Sequence, residues 1–141
     1  MARAWKHGTK LELIEGIGPV KAGKLRKAGV RSIGALLEQG GSPEGRKGIA
    51  KASGIKPSLI LEWVNHADLF RIKGVASEYS QLLEAAGVDT VVELAKRKAE
   101  NLHEKIMAVN AEKKLVRRPP ALSQVTKWIE EAKSLPRIIN Y

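Results

Sequence analysis

The chain has 141 residues, no cysteine, a formal charge of +10 and a pI near 10.0. Disulfides, thiolate metal sites and cysteine nucleophiles are therefore excluded, and a polyanionic partner is favoured. Apolar residues at 43% suffice for a core, whereas aromatics at 4% are too few for a base-stacking platform.

Met1 to Gly8 carries basic residues but no apolar segment of the secretory kind, and no run approaches the ~18 apolar residues of a spanning helix. On this reading the protein is cytoplasmic. The next stretch, Ile14-Glu15-Gly16-Ile17-Gly18-Pro19-Val20-Lys21, carries the strongest signal. Two glycines flank one aliphatic residue, and a proline then suits the first position of a helix. The pattern predicts a sharp turn whose backbone N–H groups point outward at a helix start, where the dipole favours an anion. Lys21, Lys24 and Lys27 recur at every third position beyond it and predict a basic stripe beside the turn, with Arg26 and Arg31 nearby. The bland alternative is a tight helical corner with a solvated lysine face.

Arg46 to Ser53 reads as a short helix closed by Gly54, and Pro57 opens a helix to about Leu69. Ile60, Trp63, Val64 and Ala67 give that helix one buried face. Sliding the chain along itself until Ile14 meets Ile72 then brings a second copy into register. In that register Gly16, Ile17 and Leu25 fall on Gly74, Val75 and Leu83, and Ala28-Gly29-Val30 falls on Ala86-Gly87-Val88. Ile33 and Leu36 fall on Val91 and Leu94. The second copy continues with a helix from about Glu100 to Leu115, an Arg117-Arg118-Pro119-Pro120 loop, and a helix from about Ser123 to Leu135. Ser123 is its expected N-cap, and Trp128, Ile129, Ala132 and Leu135 form its core face.

No window alternates with period two, so the expected fold is all-α. The halves divide into residues 1–69, with an N-terminal arm, and 70–141, with a C-terminal tail. With no flexible linker near Leu69, the halves should share the helix that ends there.

The segment 13–30 resembles the helix-hairpin-helix motif, a nucleic-acid-binding element with a Gly-hydrophobic-Gly hairpin. The resemblance rests on Gly16, Ile17, Gly18, Ala22 and Leu25. The whole chain from about residue 10 is also similar to an uncharacterised bacterial family, a domain of unknown function built from tandem modules of this kind. The resemblance implies two tandem paired helix-hairpin-helix modules, the second degenerate: Ala76 and Ser77 stand at the positions of Gly18 and Pro19. The third turn keeps Gly54 alone, and the fourth becomes the Arg-Pro loop.

The expected function is non-catalytic, sequence-tolerant binding of nucleic acid through backbone phosphates. DNA is favoured over RNA by the resemblance alone. The site comprises Gly16, Ile17, Gly18, Pro19, Val20, Lys21, Lys24 and Lys27, with Arg117 and Arg118 as a second phosphate grip. The alternative is a protein-interaction adaptor whose modules no longer bind nucleic acid. Lys21, Lys24 and Lys27 correspond to Tyr79, Leu82 and Ala85, and Leu82 and Leu83 are hard to place in one core together. Tyr79 and Leu82 therefore mark a surface for packing on protein, within the chain or in a partner. No amphipathic helix has the large exposed apolar face of a membrane binder.

Catalysis, cofactor and metal have no support at this level. His7, His66 and His103 lie far apart, and no pair has helical ligand spacing. His66 reads as a helix residue near the boundary of the halves. Glu100 with Glu104 and Glu130 with Glu131 read as helix surface charge.

Overall fold

A computed structural model describes residues 10–75 and 77–141. The N-terminal arm with His7, and Ala76, the counterpart of Gly18, lie outside the described residues. The fold is all-α. A 3-10 turn at Leu11–Leu13 precedes α1 (Pro19–Lys27), α2 (Ile33–Gly40), α3 (Pro43–Ser53), α4 (Pro57–Leu69), α5 (Ser77–Ala85), α6 (Val91–Ala95), α7 (Ala99–Lys113) and α8 (Leu122–Ser134).

The internal register of the sequence reappears in these elements. α5 starts at Ser77, the counterpart of Pro19 at the start of α1, and α6 starts at Val91, the counterpart of Ile33 at the start of α2. α8 takes the place of α4 at a somewhat larger offset, because the Arg-Pro loop lengthens the second copy. α1 ends as the chain turns back through Gly29 at φ 93°, with Val30 N–H bonded to Leu25 O and Gly29 N–H to Arg26 O. α5 ends identically through Gly87 at φ 94°, with Val88 N–H on Leu83 O and Gly87 N–H on Glu84 O. Only a residue tolerant of positive φ closes a helix this way, which explains both glycines. Ser32 and Thr90 then cap α2 and α6, accepting from Ala35 N–H and Glu93 N–H.

Several boundaries differ from expectation. α3 starts at Pro43, because the Ser42 hydroxyl accepts from Gly45 N–H at 3.0 Å and Pro43 occupies the first helical position. A Cβ at Gly45 would collide with Gln39 O, so the glycine serves a close approach of helices. α8 starts at Leu122 with Ala121, not Ser123, as N-cap, since the Gln124 side chain accepts from Ala121 N–H at 3.1 Å. α7 ends at Lys113, where Lys114 takes the left-handed conformation that Gly54 takes after α3. Asn110 holds the loop that follows, donating to Val116 O at 3.1 Å and accepting from Val116 N–H at 2.9 Å.

α2 packs on α4 and α6 on α8, each pair beneath its own hydrophobic cluster. As expected, α4 serves both: Ile60, Trp63, Val64 and Ala67 fill the first cluster, and Leu69 enters the second. Across its C-terminal end runs a buried ion pair, Arg71 Nε to Asp68 Oδ1 at 3.0 Å. Asp68 Oδ2 accepts from Val91 N–H, and Arg71 donates to Pro136 O. Burial pushes the Asp68 carboxyl up, against the pull of Arg71 and the Val91 N–H.

The C-terminal tail of 70–141 packs back onto the first half. Ile139 is buried in the first cluster, Asn140 N–H donates to Gly41 O at 2.7 Å, and Arg46 donates to Asn140 O. An Ile-Ile pair after a proline has no periodicity to show which half it covers. Among the described residues, no helix is long and apolar enough to cross a membrane.

Candidate nucleic-acid interface

The first turn is built from its two glycines in different ways. Gly16 sits at φ 94°, and a Cβ there would lie 3.4 Å from Trp63 Nε1. The fold itself requires this glycine. Ile17 is 3% exposed and anchors the turn in the core, so its side chain does not face solvent. Gly18, the N-cap of α1, is extended at φ −83°, ψ −178°, and a Cβ on it would meet nothing within 4 Å. Any L-residue could occupy it.

Pro19 opens α1, and the N–H groups of Gly18, Val20 and Lys21 make no hydrogen bond to the described residues. These are the unsatisfied donors every helix start leaves, at the positive end of its dipole. The first turn of α1 holds no acidic residue. Val20 is 72% exposed beside it.

Lys21, Lys24 and Lys27 are all exposed, on the side of α1 away from buried Ala22 and Leu25. Lys21 Nζ lies 5.8 Å from the Trp63 ring centroid. The same indole thus backs Gly16 and the first lysine. Arg26 is engaged elsewhere: its guanidinium grips both oxygens of Glu12 at 3.0 and 2.8 Å. That pair holds the Glu12 carboxyl below the usual carboxylate range and raises Arg26.

The second turn keeps the scaffold and changes the surface. Gly74 sits at φ 88°, and its Cβ would lie 3.6 Å from Trp128 Nε1. Its neighbour Lys73 N–H already donates to the Glu131 carboxylate at 3.1 Å, and Glu78 lies in the first turn of α5. Tyr79 is half-buried, its ring centroid 5.3 Å from that of Trp128 and its hydroxyl donating to Arg118 O. Leu82 and Leu83 are both fully buried in one cluster, which corrects the expected conflict. Adjacent helical positions both reach apolar surroundings because α5 is covered on a wide face. Of the two places expected for Leu82, within the chain or against a partner, the chain's own core takes it.

Arg117 and Arg118 are exposed, and their side chains make no hydrogen bond or ion pair to the described residues. They line an open groove of about 630 Å³ with Leu13, Gly74, Ser77 and Tyr79. The fold therefore places these arginines beside the second turn. Leu13, from the 3-10 turn ahead of the first hairpin, also lines the groove.

The model of an uncharacterised family, described as domain of unknown function DUF4332, matches residues 15–135. The chain belongs to this family. No curated protein matches it, and no solved structure does. In this DUF4332 chain the matched segment contains both turns and the Arg-Pro loop, and stops short of the tail that packs on the first half.

One feature of the DUF4332 chain escaped the sequence reading. Glu62, His66 and Glu84 come together at the junction of α4 and α5, with their ligand atoms within 4.8 Å of one another. The signal available was the i, i+4 spacing of Glu62 and His66; Glu84, on the next helix, is supplied by the fold. Of the acidic pairs expected on helix surfaces, Glu100 and Glu104 are exposed and Glu130 bonds to Lys133, while half-buried Glu131 accepts from Lys73 N–H.

Proposed function

We propose that this protein is a non-catalytic, sequence-tolerant nucleic-acid-binding protein, and that the first turn contacts backbone phosphate. One observation carries the reading. The corner needs its glycine at Gly16, while Gly18 is neither strained nor crowded within the chain. A glycine the fold does not require, at a helix start with three free N–H groups, suits close approach by an outside anion. Lys21, Lys24 and Lys27 extend the positive field along α1, and a net charge of +10 supports long-range attraction.

The helix-hairpin-helix reading supports DNA as the natural partner, with Arg117 and Arg118 as a second phosphate contact beside the diverged turn. The tandem arrangement fits the repeated caps and the paired glycines. The adaptor reading loses weight because Leu82 is consumed by the core and Tyr79 by Trp128.

The test is a titration of labelled random-sequence duplex, single-stranded DNA and duplex RNA at low and moderate salt. Duplex binding that weakens steeply with salt supports the proposal. Absence of binding at low salt, together with a protein partner that co-purifies after nuclease treatment, supports the adaptor.

A further inference from the structure

We propose that Glu62, His66 and Glu84 form a divalent transition-metal site of the zinc type where α4 meets α5. It is independent of the phosphate-binding turn.

Glu62 and His66 stand one helical turn apart on α4 and so share a face. Glu84 reaches them from the last turn of α5. His66 is 3% exposed, unusual for a group that only decorates a surface cluster. Its two ring nitrogens have different partners. Nδ1 lies 3.4 Å from Ser80 Oγ, and Nε2 lies 3.2 Å from Glu84 Oε2.

The Ser80 contact orients the ring. The Ser80 hydroxyl has one proton, and it donates that proton to Ser77 O at 2.9 Å. With its proton directed to Ser77 O, Ser80 Oγ offers the ring an acceptor, which suits a proton on Nδ1. Nε2, on the opposite side of the ring, faces the Glu84 carboxylate oxygen. A proton on Nε2 makes this contact a charged hydrogen bond, and a divalent cation can take that proton's place between the same two atoms. A metal-bound histidine shows the same pattern: one nitrogen ligates, and the other donates to an outer partner that fixes the ring.

The spacing suits the ion. Adjacent ligands around zinc, at bond lengths of about 2.0–2.2 Å, lie roughly 3.4 Å apart. The His66–Glu84 separation already matches this, and exposed Glu62 closes on the same point by rotating its side chain. The surrounding recess, of about 220 Å³, is also lined by Glu15, Gln81 and Lys113. Three carboxylates thus converge in a chain of net charge +10. One imidazole and two carboxylates favour zinc over magnesium or calcium, which prefer oxygen ligands alone. A bound ion would staple α4 of the first half to α5 of the second.

The test uses untagged full-length protein stripped with a chelator and titrated with Zn²⁺ by calorimetry, with Mg²⁺ as competitor. Expected are one Zn²⁺ per chain, no competition by Mg²⁺, and an affinity at least tenfold weaker in both Glu62→Gln and Glu84→Gln. Both replaced side chains are exposed, and circular dichroism checks that the variants stay folded. Long-range ¹H–¹⁵N spectra should show His66 protonated at Nδ1, with only Nε2 shifting on zinc addition. The proposal is overturned by absence of saturable binding, by stoichiometric binding that both variants retain, or by a His66 ring protonated at both nitrogens in excess Zn²⁺.

Discussion

Gly16 and Trp63 meet at the back of the first turn, and Gly74 and Trp128 meet in the same way at the back of the second. A Cβ added to either glycine would sit 3.4 or 3.6 Å from the indole Nε1, with φ already at 94° or 88°. Each turn is therefore braced on a tryptophan from the last long helix of its half. Among the differences between the two is the residue two positions later, glycine in one and alanine in the other.

That difference separates folding from binding at single-residue level. Gly16→Ala forces an alanine to positive φ and should cost about 1–3 kcal/mol. Gly18→Ala, in an extended and open position, should stay within about 0.5 kcal/mol of wild type. Urea denaturation of both variants checks this, and equal destabilisation would show that the fold needs both glycines.

The lysine stripe makes a salt-dependent prediction. Each lysine that neutralises a duplex phosphate contributes about 0.9 to the slope of log K against log salt. Replacing Lys21, Lys24 and Lys27 by glutamine should lower that slope by up to about 3 and leave helicity unchanged. Arg26→Gln should weaken the Glu12 clamp without a comparable change in slope. If the slope survives the triple substitution, the stripe is only a solvated face.

The Asp68–Arg71 pair predicts a pH dependence. Burial raises the Asp68 carboxyl, and Arg71 opposes that rise. An acid with a raised folded pKa holds most stability below its unfolded pKa of about 3.9, and loses it as the pH climbs through the folded value. Arg71→Met removes the opposing charge and raises the carboxyl further. The variant should cost about 3–5 kcal/mol near neutral pH and much less at about pH 4. Urea midpoints at both pH values test the sign; a penalty that is equal at both, or larger in acid, contradicts it.

The tail predicts a stability effect in the half it covers. Ile139→Ala removes a buried side chain and should cost about 2–5 kcal/mol. Hydrogen exchange should show the loss of protection concentrated around Gly41 and α3, where Asn140 and Arg46 hold the tail. Loss confined to the second half would mean that the tail belongs there.

Much of the fold was legible because it rests on local chemistry. The Pro57–Leu69 helix has a proline start and a clear apolar face, and the Ala-Gly-Val breaks state their own geometry. α3 was read too short because Ser42-Pro43 looks like loop until the serine is seen to cap. The α8 start was misplaced because Gln124 reaches back to Ala121, while Ser123 only stands near the boundary. The fates of Leu82, Ile139 and Glu84 were not legible, since each depends on a neighbour far away in the chain. In the candidate site, spacing gave the glycines and lysines. It could not show that Ile17 points inward or that Arg117 and Arg118 flank the second turn.

The most direct test of phosphate binding at the first turn is Gly18→Asp, titrated with random-sequence duplex DNA at low salt beside wild type. Gly18 has the backbone of an N-cap, where aspartate is a favoured residue, so the variant should be as stable as wild type or slightly more so. Its carboxylate would occupy the free N–H groups and repel phosphate. The expected result is an undiminished melting temperature with duplex affinity reduced at least tenfold. Duplex binding by Gly18→Asp equal to that of wild type would contradict the account.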